Sequence, residues 1–385
     1  MSAALTVDRS APQFIASEIY RHSSYGRKHP LAIPRVSSCL DLCRCLGWVP
    51  DEVYHDSPRA AAADLKRFHD PAYVAAVKAA ERTQQVSEAV KRRHNLGVRG
   101  NPIFPEVFRR PATACGGSLH AASLLLGGAR CVYSPAGGTH HGRPDHASGF
   151  CYFNDPVLAL QSLLAGGLTR IVYLDIDAHH GDGVQDAFAD DDRVLTVSVH
   201  EAGRWPMPRG MPGSDCKGST ADRAGGAARN IPVPPGFNDT EMAYVREAAL
   251  LPLVEWFEPE AIVVQAGSDA VAEDPLSGLS LSNTALWYVV AQVKRLAPRL
   301  LCLGGGGYNP WAVARCWTGV WAVLNDMPVP KRLPPAGERI LRQLQWRHSW
   351  ARHASRQWFT ALADAPRHGP VREDVRAAVR AAMVP

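Results

Sequence analysis

Residues 175–182, DIDAHHGD, crowd three aspartates and two histidines directly after the apolar run IVYL. Carboxylates packed at the end of a buried strand repel one another and are costly to bury without partners. The stretch therefore needs a positive centre, either a cation or a hydrogen-bonded imidazolium. In extended backbone alternate side chains share a face, which puts Asp175, Asp177 and His179 on one side. Asp269, in GSDAVAEDP after another apolar run, supplies a further carboxylate. Asp177, His179 and Asp269 suit a divalent ion held by three protein ligands with a position left for water, the arrangement of catalytic zinc. The competing reading is a capped turn with hydrogen-bonded acids.

Two more clusters carry chemistry. His140 and His141 stand in tandem after PAGG. Paired imidazoles serve as general base and acid when carboxylates fix their tautomers, and Asp175 and Asp182 are the available orienters. LGGGGYNP is no phosphate loop, because no Lys followed by Ser or Thr comes after it. Its glycines permit close backbone approach, which would let Tyr308 aim its hydroxyl at a developing oxyanion. A tyrosine that merely anchors a loop is the alternative.

These clusters need a scaffold that gathers them. Apolar runs rich in Val, Ile and Leu recur at 130–135, 170–177, 194–200, 261–267 and 299–307 and read as buried parallel strands. Helical patterns at 154–165, 239–257 and 282–297 lie between several of them. Strand and helix in alternation predict a doubly wound α/β fold with an open parallel sheet. In such sheets ligands bind beyond the carboxyl ends of the strands, where every cluster above falls.

The bulk composition fits an enzyme of this kind. The chain has 385 residues, 46% hydrophobic and 21% charged, enough for a large core. Its net charge of +5 comes from scattered Lys and Arg without a long basic run, so no nucleic acid is expected as partner. Nine irregularly spaced cysteines without a CxxC pair read as reduced thiols, with Cys39, Cys43 and Cys45 at a helix core. The first residues lack the pattern of a secretory leader, and no stretch approaches a membrane span. A cytoplasmic location with no membrane contact is the expectation.

The motifs GGTHHGRPDHASGFCYFND, YLDIDAHHGDGVQDAF, VSVH, QAGSDAVAEDPLSG and LGGGGYNPWAVARCW resemble the zinc-dependent histone deacetylase superfamily, which includes acetoin-utilisation proteins and acetylpolyamine amidohydrolases. The resemblance covers about residues 18–325 and implies the ureohydrolase/deacetylase α/β fold, an eight-stranded parallel sheet with helices on both faces. Carried over, Asp177, His179 and Asp269 resemble the zinc ligands, and His140 with Asp175 and His141 with Asp182 resemble its two dyads. Tyr308 is similar to the carbonyl-polarising tyrosine. Gly149 and Phe150 match the acyl-tunnel lining, and Arg35 an arginine near its inner end. Asp175, His179, Ser198 and Val199 resemble the ligands of a structural potassium ion, partly through backbone carbonyls.

Some positions depart from the pattern. Asp182 is the class I choice, whereas GRPDH is closer to class II and bacterial members, so no class is assigned. Leu276 stands where polyamine-selective members carry an acidic gate, which tilts the expected substrate towards an acylated lysine or a neutral acylamide. The tunnel rim falls to Trp205, Met207 or Met211. The resemblance implies hydrolysis of an acyl group, acetyl in the first instance, from an amine such as a lysine side chain. Two rivals are a two-manganese ureohydrolase, which would need carboxylates where Gly181 and Val271 stand, and a non-catalytic acyl-lysine binding module.

The expected organisation is a catalytic domain at 1–325, a Pro-rich linker at 326–337 and a helical extension at 338–385. Leu341, Leu344, Trp346, Trp350 and Trp358 predict one amphipathic helix over 338–359, with Arg342, Arg347, Arg352 and Arg356 on its basic side. It either folds back on its own domain or serves a homo-oligomer interface.

Overall fold

A computed structural model describes residues 10–207, 216–296 and 298–384. Eight strands form a single sheet: β1 Gln13–Ala16, β2 Tyr54–Asp56, β3 Cys131–Ser134, β4 Ile171–Asp175, β5 Val194–Glu201, β6 Ala228–Val233, β7 Ala261–Gln265 and β8 Leu300–Leu303. Their order is β2-β1-β3-β8-β7-β4-β5-β6, and every pairing is parallel. The five expected strands are all present.

The three strands without a legible sequence signal have local reasons for that. Each is short or interrupted: β1 and β2 run for 4 and 3 residues, and β6 carries Arg229, Asn230 and Pro232; β2 and β6 form the two edges. Pro232 inside β6 is acceptable there because an edge strand can lack a ladder donor.

Alternate residues of each central strand enter opposite cores, so helices cover both faces as expected. Val172 and Leu174 pack with the helix Pro310–Leu324, while Ile171 and Tyr173 pack with Asp155–Ala165. Cys39 and Cys43 are buried on the helix Val36–Cys45, in line with the sequence reading. The predicted helix at 239–257 contains a wide π-type turn at Arg246–Leu250. Pro252 explains it, since a proline ring meets the carbonyl four residues earlier, here that of Ala248, and supplies no N–H.

The register decides where chemistry can happen. Asp175 at the end of β4 lies opposite Gln265 at the end of β7, and Gln265 lies opposite Leu303 at the end of β8. Three neighbouring strands therefore finish level, and their loops emerge side by side.

The expected continuous helix over 338–359 is not formed. A helix runs from Pro335 to Gln343 and stops where Leu344 turns extended. The Trp311 indole N–H donates to the Leu341 carbonyl at 2.8 Å, occupying the acceptor that a further helical turn would use. Trp346, Trp358 and Phe359 then surround Trp311 at ring distances of 5.9, 5.7 and 5.6 Å. Packing against one aromatic residue overrides the helical pattern, and the segment folds back on its own chain. The helix Glu373–Ala382 packs against β6, and Leu341, Leu362, Val375 and Val379 belong to the main core.

A buried ion pair fastens this return. Arg315, on the helix Pro310–Leu324, donates from Nη2 to Asp364 Oδ1 at 2.5 Å and from Nε to the Ala361 carbonyl at 2.7 Å. Asp364→Ala would leave that guanidinium buried without its counter-charge. The expected loss is about 3–5 kcal/mol of unfolding free energy, measured by urea titration. A loss below about 1 kcal/mol would mean that water reaches Arg315.

Candidate active site

The acid-rich stretch is extended only as far as Asp175. Past it the Asp177 N–H turns back to Asp175 Oδ1 at 3.1 Å, which separates the three residues expected on one side. Asp175 Oδ2 lies 2.7 Å from His140 Nδ1 and accepts the Tyr173 hydroxyl at 3.0 Å. Asp177 and His179 converge instead on Asp269, which sits in the short turn Ser268–Ala270 after β7. His179 Nδ1 is 2.9 Å from Asp269 Oδ2 and 3.3 Å from Asp177 Oδ1, and one donor atom from each residue lies within 4.8 Å of the others.

The donor chemistry of this triad suits a divalent metal. All three side chains are buried. Despite burial, which disfavours its charged form, His179 is raised to about 10 by hydrogen bonds to Asp177 and Asp269. The two carboxylates thus attract a positive charge strongly enough to protonate an enclosed imidazole, and a divalent cation would take that proton's place. Among the described residues, no other group of three or more acids, histidines and cysteines has this geometry. Gly181 and Val271 offer no donors for a second metal.

Glycine shapes the site from the β8 side. Gly305 and Gly307 hold φ of +127° and +140°. The Gly306 N–H between them donates to Asp177 Oδ2 at 2.6 Å. A Cβ on Gly306 would fall 1.9 Å from Asp269 Oδ2, so the backbone approaches both acids more closely than any side chain would allow.

The two histidines meet different surroundings. Their rings stand 3.9 Å apart. Burial would lower His140, yet Asp175 and then Asp177 raise it to about 9. Burial and the neighbouring charge of His140 lower His141 to about 3. His141 Nδ1 is 2.7 Å from Asp182 Oδ1, while Arg143 pairs with the other Asp182 oxygen. Against its own burial, the His141 and Arg143 charges hold the Asp182 carboxyl well below the usual range.

A cavity of about 640 Å³ opens onto these groups. Of the expected site residues, His141, His179, Gly149, Phe150, Leu276 and Tyr308 line it. His140 lies behind His141, away from the wall. Trp205, about half exposed, lines the mouth with its ring 4.7 Å from that of His141, whereas Met207 is buried outside the lining. Met211 lies outside the described residues. Phe150 holds φ of +69°, and its N–H donates to Asn101 Oδ1 at 3.1 Å. Such backbone strain in a non-glycine residue is typical of functional walls.

The remaining expected residues sit deeper. Arg35 is half-buried, donates to the Gly305 carbonyl at 2.5 Å and lies 5.2 Å from the Trp317 ring centre. Ser198 pairs in register with Asp175, and its hydroxyl is 2.8 Å from His200 Nδ1. Val199 follows it on β5.

Three supporting residues escaped the sequence reading. Asp155 accepts the backbone N–H groups of Gly138 and Thr139 at 3.0 and 2.8 Å and fixes the turn before His140. Asp274 accepts the Tyr308 N–H at 2.6 Å. Arg143 balances Asp182. The only signal was their closeness to the motifs, in GRPDH, FNDP and EDP.

Residues 29–324 match the histone deacetylase domain. The chain belongs to that family. The chain is 36% identical over 320 residues to the putative histone deacetylase 2 of Caenorhabditis elegans, covering 81% of this chain and 61% of that relative. It is 34% identical over 313 residues to histone deacetylase 1 of Homo sapiens, with coverages of 80% and 64%. The chain thus spans less than two thirds of the length of these curated relatives. A crystal structure of a histone deacetylase homologue from Aquifex aeolicus, 33% identical, covers 97% of this chain and 100% of its own, with a TM-score of 0.90. A homologue complexed with SAHA gives the same TM-score and identity. The superfamily resemblance read from the motifs is borne out, as is its eight-stranded parallel fold.

Gly306→Ala tests the acid cluster directly. The added methyl group displaces Asp269, and divalent-metal affinity is expected to fall by roughly 10–100-fold, the range for disturbed ligand support. Competition with a chromophoric zinc chelator measures this, with circular dichroism reporting the fold. Unchanged affinity would mean that the triad does not hold the metal.

Proposed function

We infer that the protein is a zinc-dependent amidohydrolase that removes an acyl group, acetyl in the first instance, from an amine such as a lysine side chain. The observation that carries this reading is that His179 of the Asp177–His179–Asp269 triad, His141 and Tyr308 line one cavity with aromatic walls. Family membership supports it, and so does the similarity to a homologue complexed with SAHA.

Asp177, His179 and Asp269 would hold one zinc ion, which when bound polarises the amide carbonyl and acidifies water. Phe150 and Trp205 flank the acyl-bearing chain and exclude water around it. His141, its Nδ1 fixed by Asp182, accepts the proton of the attacking water on Nε2. The Tyr308 hydroxyl donates a hydrogen bond to the carbonyl oxygen as negative charge develops there. His140, held by Asp175, orients its neighbour, and the amine leaves protonated. A potassium ion behind the acids, at Asp175, His179, Ser198 and Val199, belongs to the same reading, supported by the pairing of Asp175 with Ser198. Leu276 offers no carboxylate to a polyamine, which favours acyl-lysine or another acylamide over acetylpolyamine.

Metal-stripped protein should lose hydrolysis of an acetyl-lysine peptide and regain it with one zinc equivalent per chain. A requirement for two equivalents, seen by elemental analysis of active protein, would point to binuclear chemistry instead. Tyr308→Phe removes only a hydroxyl, so zinc content should persist while kcat falls by roughly 10²–10³-fold. Undiminished kcat would assign the tyrosine to loop structure alone.

A further inference from the structure

The cavity continues into two shallower depressions. One, of about 570 Å³, shares Leu276 and Tyr308 with it; the other, of about 920 Å³, shares Gly100, Phe150 and Leu276. Arg27 and Lys28 line both, Arg347 lines the first and Arg99 the second, and all four side chains are exposed. Among the described residues no Asp or Glu lines either depression. Some surface cations are paired, as in Arg21–Asp41, Arg193–Asp191 and Arg372–Glu241. Among the described residues none of these four has a carboxylate within 4.0 Å.

The rim is also held in place. His29 accepts the Leu31 N–H on Nδ1 at 3.1 Å and faces the Gly100 carbonyl with Nε2 at 3.2 Å, which ties the loop carrying Arg27 and Lys28 to the loop carrying Arg99. The one carboxylate lining the main cavity, Glu201, is bound at both oxygens by Arg204, at 2.5 and 2.7 Å. Among the described residues a cationic substrate therefore meets no free carboxylate at the mouth. Arg27, Lys28 and Arg347 all lie outside the residues 29–324 that match the family domain.

We propose that the substrate is an acyl-lysine flanked by Asp or Glu in its peptide, with those carboxylates over Arg27, Lys28, Arg99 and Arg347 while the acylated side chain enters the cavity. The inference rests on the acylamide-hydrolase reading above. A peptide is favoured over a small acylamide because the two depressions lie beyond the tunnel and together exceed it in volume, more than a single free carboxylate can use. Each exposed pair contributes little alone, so the preference arises from several at once and weakens with salt.

Three acetyl-lysine peptides of equal length, with acidic, amide or basic flanks, test it on the full-length zinc-loaded protein. At low ionic strength kcat/KM should be on the order of tenfold higher for the acidic than for the amide peptide, with the basic one poorest. The order should compress at about 1 M NaCl, where the Debye length is about 3 Å. Arg27→Gln with Lys28→Gln, and separately Arg99→Gln, should bring the acidic-to-amide ratio towards one; this ratio is insensitive to the fraction of active protein. Equal values for all three peptides, or a basic preference, would overturn the proposal. Fluorescence-anisotropy Kd values on the same samples separate the two claims. Charge-ordered binding without turnover removes the hydrolase reading and keeps the acidic-peptide surface, whereas turnover without charge order does the reverse. A carboxylate gain confined to free N-acetyl-lysine over its amide would identify a small acylamide and overturn the peptide assignment.

Discussion

A carboxylate removed from water must be answered by a cation or by hydrogen-bond donors, and this protein buries Asp175, Asp177, Asp182 and Asp269 within one small region. The loops after β3, β4, β7 and β8 are organised by the replies. Asp175 takes an imidazole, a phenol and a backbone N–H; Asp182 takes an imidazole and a guanidinium; Asp177 and Asp269 share His179 and accept the N–H groups of Gly306 and Ala178. What remains is a surplus of negative charge at one point, and that surplus makes the triad a place for a metal ion.

The remainder of the molecule keeps these replies in register. Level ends of β4, β7 and β8 bring the loops together without long connections. The Tyr308 loop has two anchors: its own N–H on Asp274, and the Asn309 side chain on the Glu273 carbonyl at 3.0 Å. Arg367, from the returning C-terminal segment, pairs with Glu273 in turn. The Tyr308 loop is thus braced by a chain segment about sixty residues further along.

The parts of this that a sequence discloses are those with strong local patterning. Continuous Val, Ile and Leu runs mark the central strands because both of their faces are buried. Asp177, His179, Asp269 and the histidine pair were legible because polar residues at the end of apolar runs conflict with local preference, and such conflict marks function. The edge strand Ala228–Val233 gives no such signal, since Arg229, Asn230 and Pro232 interrupt its apolar run. The pairing of Asp175 and Asp182 with the two histidines, and of Asp177 with His179 and Asp269, was read from the sequence, whereas the turn at Asp177 that brings it about in place of continued strand was hidden. Over 338–359 a convincing helical period misled: the carbonyl of Leu341 is claimed by Trp311, a competitor thirty residues upstream that no local window contains.

The return of the C-terminal segment separates two units that are easily equated. The stretch recognisable by family ends at residue 324, while the core that must close over the helix Pro310–Leu324 includes Leu341, Leu362, Val375 and Val379. The matched family domain and the folding unit have different borders in this chain. Cutting at residue 324 bares Trp311 and leaves Arg315 charged in an unfilled hollow, so a trimmed family domain made for expression would be a stickier and less durable object than the whole. The segment beyond residue 324 is, for this protein, the closing wall of the house.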